Sequence, residues 1–325
     1  MRCAFITGIT GQDGSYLAEL LLQKGYKVHG LVRRTSAMVT LRIGHLLAHP
    51  ELHIHYGDIT DGQHLMRLVL ETEPDEIYNL AAQSHVRLSF DLPVYTTQTV
   101  SGGALFVLEA ARMLQRSKEV RVYQASSSEM FGNIDEWPQT EVTRFAPQSP
   151  YACAKVHAFH QTVNYRDAFG LFAANGILFN HESPRRGAEF VTRKITLAAA
   201  RIQRGEQEKL YLGNLDAARD WGYAGDYVNA MWRILQHDEP TDFVIATGVS
   251  HTVRDFLDET FRHFNSLEWQ DVVETDSKLI RPTEVHHLVG DSSKAADLLG
   301  WKPQVDFEGL VKLMVEHDTG IGVER

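Results

Sequence analysis

The sequence predicts a doubly wound α/β fold, a parallel sheet with helices on both faces, joined to a smaller, interleaved C-terminal lobe. Three observations lead there. Short β-branched or apolar runs alternate with longer amphipathic ones through the first half. A glycine-rich turn follows the first apolar run. From about residue 180 onward the rhythm loosens into shorter elements separated by glycines and charged loops. Taken in order, a strand is expected at Cys3 to Thr7, a helix at Ser15 to Lys24, a strand at Lys27 to Val32, another at His53 to Tyr56, and a helix at Gln63 to Glu71. Buried strands follow at Glu76 to Asn79 and Val120 to Ala125, with a helix from about Thr99 to Arg112 between them. In the second half, helices are expected near Thr192 to Arg204 and Val253 to Phe264. Residues 1–178 form the first domain, with a segment of about 220–250 returning to it, and residues 179–325 supply most of the second lobe. No Gly/Ser linker or internal repeat separates the two, so they are expected to share a cleft.

Composition fits this size and class. The 325 residues are 43% hydrophobic and 23% charged, enough for a large core and more than one core sustains efficiently. A net charge of -10 excludes the broad basic face that nucleic acids or anionic membranes require, so any anionic ligand must be met by local arginines. The two cysteines, Cys3 and Cys153, make neither a disulfide framework nor a zinc site; Cys153 is read as a small apolar filler. With no long apolar segment, a reducing cytoplasm is expected. His45, His49, His53 and His55 lie close in sequence but lack a ligand spacing, so no metal is assigned.

Gly8, Gly11 and Gly14 fall between the first strand and the first helix. Glycines there permit a tight turn and a close backbone approach to a pyrophosphate, and the helix N-terminus offers free N–H groups. The arrangement marks a Rossmann-type dinucleotide site rather than an ordinary glycine turn. At the end of the second strand an enzyme using NAD would carry an acidic residue for the ribose; this chain has Arg33 and Arg34. Two cations there favour a 2′-phosphate, hence NADP, over a solvated basic loop. Gly57-Asp58 suits an adenine contact, and Leu80-Ala81-Ala82-Gln83-Ser84 a small-residue passage beneath the dinucleotide.

Tyr151 and Lys155 are four residues apart, hence on one helix face. A nearby ammonium lowers a phenol's pKa, so the pair can hold a tyrosinate that takes a hydroxyl proton as hydride leaves the same carbon. Such a pair is common on helix surfaces; its weight comes from the upstream strand end, Ala125-Ser126-Ser127-Ser128-Glu129, which offers a hydroxyl and a carboxylate at the same sheet edge. A carbonyl reductase needs only the tyrosine, lysine and hydroxyl. Glu129 adds a base for a carbon-bound proton next to a transient ketone, which makes elimination feasible.

Over nearly its whole length the chain resembles the GDP-mannose 4,6-dehydratase family of the extended short-chain dehydrogenase/reductase superfamily. The segments that carry the resemblance are Gly8 to Leu17, Tyr78 to Val86, Asn180 to Gly187, Phe190 to Lys194, Leu212 to Asp216, Arg219 to Tyr223 and Arg281 to Val285. The resemblance implies NADP contacts at Gly8, Ile9, Thr10, Gly11, Gln12, Asp13, Arg33, Asp58, Ile59, Leu80, Ala81, Ala82, Gln83, Ser84, Tyr95, Lys155, His181 and Arg186. It implies GDP-mannose contacts at Asn180, Lys194, Asn214, Arg219, Arg281 and Glu284, with Ser127, Glu129, Tyr151 and Lys155 as the chemical centre. Fixed arginines are what a pyrophosphate entering an acidic protein requires. The family mostly carries threonine where this chain has Ser127; serine keeps the hydroxyl and loses the methyl that restricts its rotamer.

The expected reaction makes GDP-4-dehydro-6-deoxymannose and water by internal hydride transfer. Two alternatives remain on this scaffold: a nucleotide-sugar 4-reductase or 4-epimerase, neither of which needs Glu129, and a non-catalytic NADP-binding regulatory module, which would have no use for the Tyr151–Lys155 pair. The resemblance also implies a homo-oligomer, a tetramer or a dimer.

Overall fold

In a computed structural model that describes residues 1–36, 40–264 and 267–320, six strands appear before residue 179: β1 (Cys3–Thr7), β2 (Lys27–Val32), β3 (Leu52–Tyr56), β4 (Glu76–Asn79), β5 (Arg121–Ser127) and β6 (Phe172–Leu178). Six short ones follow: β7 (Asn180–Glu182), β8 (Leu210–Leu212), β9 (Ala218–Tyr223), β10 (Phe243–Ile245), β11 (Ser250–Thr252) and β12 (Val273–Thr275). The main sheet runs β10-β6-β5-β4-β1-β2-β3, every pairing parallel. The chain winds outward from β1 to β3, then crosses back to β4 on β1's other side. That reversal opens a crevice at the C-terminal strand ends, where ligands of such sheets bind.

The central strands are buried along nearly their whole length because both faces are covered. Phe5 and Ile6, adjacent on β1 and fully buried, serve opposite cores. Ile6 joins Leu17, Leu21, Val28 and Met231 on one face; Phe5 joins Leu65, Val69, Val107 and Val122 on the other. The period of two along each strand thus builds two hydrophobic layers from one sheet. β10, from the second half of the chain, pairs with β6, and the helix Ala224–Gln236 packs in the Ile6 layer.

A third core unites the helices Val191–Gln203, Val253–Phe261 and Phe307–Thr319 around Trp221, Phe256 and Met314. Here β9 pairs with β7 and β11, and β8 with β12. Among the described residues no helix is long and apolar enough to cross a membrane.

Element boundaries differ from the sequence reading where turns intervene. The first helix begins at Gln12, since extended Gly11 already serves as its N-cap. The region expected as one helix from Thr99 holds a π-helical turn, Gln98–Gly102, before the helix Gly103–Leu114. The helix Pro150–Phe169 has full sequence punctuation: Ser149 caps it by accepting from Ala152 N–H, Pro150 opens it, and Gly170 at φ +63° closes it.

Candidate functional site

One cavity of about 1370 Å³ opens over the C-terminal ends of the main strands and extends into the second lobe. Of the site residues named from the sequence, all border it except Ile9, Gln83, Asn214, Arg219 and Glu284. Ile9 is fully buried in the core beneath the glycine turn. Gln83 is folded into its own loop, donating to His85 O (3.2 Å) and Thr96 Oγ1 (3.1 Å). Asn214 accepts from Asp216 N–H at 2.9 Å, and Arg219 and Glu284 sit behind Glu129 in a charge cluster described below.

At the cofactor end, Gly8 has φ +72°, and a Cβ on it would stand 2.9 Å from Ala81 N. A Cβ on Gly14 would stand 2.3 Å from Gly8 O. Both glycines are therefore required by the backbone itself. Thr7 Oγ1 accepts from Leu80 N and Ala81 N, each at 3.1 Å, which fixes the small-residue passage against the glycine turn. Thr7 donates to Asn79 Oδ1 (2.7 Å), Asn79 to Gln124 Oε1 (2.7 Å), and Gln124 to Ala125 O (3.1 Å). The Lys155 ammonium donates to the same Ala125 carbonyl at 2.6 Å. A buried polar row thus runs from the glycine turn to the active helix. Sequence reasoning missed it; its signal was the polar residue recurring near the ends of three apolar strands.

Asp13 and Gln12 bind the chain after β6. His181 Nε2 lies 2.9 Å from Asp13 Oδ2, Gln12 donates to His181 O (3.1 Å), and Ser183 donates to Gln12 Oε1 (2.8 Å). The His181 ring stacks on Tyr227, and its Nδ1 faces Phe179 O at 2.7 Å. Burial opposes both charges, yet the pair wins: His181 is held above and Asp13 below its ordinary value.

Arg33 borders the cavity and donates to the Tyr95 hydroxyl, whereas Arg34 turns away to Thr35 O at 2.6 Å. Asp58 accepts from Thr60 N and Oγ1 and thereby closes the turn that leads into the helix Gly62–Thr72. Arg186 pairs with buried Glu182 at 3.1 Å and covers the Phe190 ring at 3.7 Å. Further cations border the cavity that the sequence did not single out. Arg42 donates to Arg185 O and Thr10 O, Arg185 pairs with Glu19 at 2.5 Å, and buried Arg193 pairs with Asp318. Their partners come from remote segments, so nothing in the local sequence marks them. A chain of net charge -10 has thus gathered cations around one cavity, the lining an anionic ligand needs.

At the other end stand Ser127, Glu129, Tyr151 and Lys155, all but Ser127 buried. Ser127, the last residue of β5, accepts from Glu129 N–H at 3.3 Å and so orients the turn that carries the carboxylate. Burial lifts the Tyr151 phenol to about 12, against a hydrogen bond to Ser127 that acts downward. Burial lowers Lys155 to about 8, with Asp13 opposing. The expected Lys155-stabilised tyrosinate is therefore corrected. The ammonium binds Ala125 O and lies 5.7 Å from the Tyr151 ring centroid, and burial raises the phenol rather than lowering it. Cys153, two residues from each of Tyr151 and Lys155 and so on the other side of the helix, is exposed rather than a filler.

Glu129 is met by two arginines. Arg281 Nη1 donates to Glu129 Oε1 at 3.2 Å, and Arg219 Nη2 lies 3.8 Å from the same oxygen. Glu284 Oε1 is 3.7 Å from Arg219 and 3.9 Å from Arg281. Burial lowers the Arg219 pKa, with Glu129 opposing. Lys194, at the far side, donates to Tyr211 O at 2.6 Å.

A family model described as GDP-mannose 4,6 dehydratase matches residues 5–314. The chain is 57% identical over 325 residues to GDP-mannose 4,6 dehydratase 2 of Arabidopsis thaliana, an alignment covering 98% of this chain and 87% of that protein. It is 52% identical over 338 residues to the GDP-mannose 4,6 dehydratase of Homo sapiens, covering 97% and 91%. Among solved structures, a Thermus thermophilus UDP-glucose 4-epimerase in complex with NAD superposes with a TM-score of 0.85 at 25% identity, over 98% of this chain and 99% of that one. A dTDP-glucose 4,6-dehydratase from Streptomyces venezuelae with NAD bound gives 0.82 at 26%, over 96% and 95%.

Proposed function

The chain belongs to the GDP-mannose 4,6-dehydratase family, and on that basis we propose that its cavity converts GDP-mannose into GDP-4-dehydro-6-deoxy-D-mannose and water. The observation that carries the reading is the meeting of Tyr151, Lys155 and Ser127 with a fourth group, the Glu129 carboxylate, on one cavity wall. The glycine turn that a Cβ would fill, and the cations around it, fit a nicotinamide dinucleotide. Arg33, beside Tyr95 at the cavity, supports a 2′-phosphate and hence NADP. When bound, the oxidised nicotinamide supplies a positive charge, a hydride acceptor for C4 of the sugar and, later, the same hydride for C6.

The chain's own residues move the protons. Tyr151, with Ser127 and Lys155, takes the O4 proton as C4 is oxidised. The resulting ketone acidifies C5; Glu129 takes that proton and passes it to the departing C6 hydroxyl, which leaves as water. A proton is then restored at C5, and the dinucleotide returns to its starting state. Arg281, Lys194 and Asn180 hold the GDP portion at the cavity, with Arg281 on the diphosphate, and Asn214, Glu284 and Arg219 support that wall from outside the lining, Arg219 beside Glu129. We place the protein in the cytoplasm as a homo-oligomer, a tetramer or a dimer, an assembly supported by exposed Leu92 and Val94 close in sequence to Tyr95, which borders the cavity.

Incubation with GDP-mannose and no added reductant tests the activity. A 4-keto product should accumulate without net change in nicotinamide absorbance, whereas a reductase would need NADPH and an epimerase would return a hexose. Glu129→Gln should lower turnover by about 10²–10⁴-fold, the usual range for removing a general acid–base group, with dinucleotide binding retained. Normal turnover in that variant would remove Glu129 from the reaction.

A further inference from the structure

We propose that Arg281 is a specificity gate on Glu129: its guanidinium occupies the Oε1 oxygen of the carboxylate until the diphosphate of a nucleotide sugar draws it away. The base then acts only on a ketose that carries that anion. The inference rests on the reading of Glu129 as the base at C5.

The geometry divides two neighbouring arginines into a fixed one and a movable one. Arg219 is 6% exposed, donates to Ala218 O at 2.9 Å, does not border the cavity, and reaches Glu129 no closer than 3.8 Å. Arg281 borders the cavity, has a side chain 26% exposed, and makes the hydrogen bond to Glu129 Oε1 at 3.2 Å. A carboxylate oxygen engaged by a guanidinium is not open to a C–H group. The same guanidinium cannot serve Glu129 and a diphosphate at once, and a diphosphate offers more charge and a bidentate geometry. The exchange leaves Arg219 as the fixed countercharge beside Glu129. Recognition of the remote diphosphate is thereby coupled to the reacting centre, which is how binding energy away from the chemistry raises the rate rather than the affinity alone.

The test divides the substrate into two pieces. Holoenzyme loaded with oxidised dinucleotide is placed in D₂O with methyl 4-dehydro-6-deoxymannoside. Deuterium entry at C5 is read from collapse of the C6 methyl doublet. Glu129 removes the C5 proton to give the enolate and returns a solvent-derived deuteron to the same carbon, so no oxidant or reductant is needed. Wild type should exchange slowly alone and about tenfold or more faster with saturating GDP, the scale of one charge-assisted hydrogen bond exchanged. Arg281→Gln should exchange rapidly without GDP and be indifferent to it, while Arg281→Lys should restore the dependence. GDP occupancy is measured by calorimetry, and folding of each variant by circular dichroism. If GDP binds wild type without accelerating exchange, or folded Arg281→Gln is no faster than wild type, the gate is overturned. The intact GDP-linked ketose is the control: failure of wild type to exchange its C5 proton would overturn the role of Glu129 itself, and the gate with it.

Discussion

Lys155 places a charge where burial opposes it, at a cost to the fold. Burial takes its ammonium from 10.5 to about 8, with Asp13 opposing. Between those two values the unfolded chain binds more protons than the folded one, so this group makes stability rise with pH across that window. Below it the full penalty applies, about 3 kcal/mol for a shift of this size. Lys155→Met keeps the length of the stem, removes the buried charge and should melt several degrees higher than wild type at pH 7, with turnover abolished. Its advantage should shrink as the pH approaches 10. Thermal melts of both proteins at pH 7 and pH 10 check this, and a lower melting point for the variant at pH 7 contradicts it. The opposite balance holds at Tyr151, where burial raises the phenol to about 12. The same burial therefore disfavours charge on both members of the pair.

At the scale of elements, the turn between β1 and the helix Gln12–Gln23 is the most constrained piece of backbone in the site. A Cβ at Gly14 would meet Gly8 O at 2.3 Å and Ile9 Cα at 2.6 Å, both main-chain atoms that cannot swing aside. Gly14→Ala should destabilise the fold by about 1–3 kcal/mol, the usual cost of overpacking, and weaken dinucleotide binding in parallel. Denaturant unfolding and a fluorescence titration measure the two effects; an unchanged titration would show that the turn tolerates widening. This element was legible in the sequence, because three glycines spaced between an apolar run and an amphipathic one suit a strand-to-helix turn that must stay narrow. The strands from β1 to β5 were legible for a similar reason: parallel strands covered on both faces read as short runs rich in β-branched, aromatic and other apolar residues. The Thr7–Asn79–Gln124 row was not, since it exists only through the register of strands far apart in sequence. The same holds for Arg42 and Arg193, whose partners at Thr10, Arg185 and Asp318 are set by tertiary folding. The ion pair between Glu129 and Arg281 spans 152 residues, so the sequence could name both groups without indicating that they meet.

For the whole molecule, the question is what holds the glycine turn to the chain leaving β6, given that both form walls of one cavity. The Asp13–His181 pair does this, reinforced by Gln12 and Ser183. Its contribution should have a defined pH window. Burial disfavours the imidazolium, but Asp13 outweighs it and raises His181. That share of the stability is full below the unfolded value of 6.5 and is lost as pH rises through the raised folded one. Asp13 is depressed, burial again being outweighed by His181, so its share is full above 3.8 and is lost as pH falls through the depressed value. The pair therefore acts at full strength between those two unfolded values and fades on either side. Asp13→Asn preserves the shape and removes the charge. It should lower the unfolding free energy by about 1–3 kcal/mol at pH 5.5, as for a hydrogen bond to a charged group, and by progressively less as the solution becomes alkaline. Urea unfolding of wild type and variant at pH 5.5 and pH 9 separates this from a purely steric role, which would give the same difference at both. Dinucleotide affinity should follow the same pH trend, because Asp13 sits in the first turn of the helix that the glycine turn opens, borders the cavity and is held there by direct contact with His181.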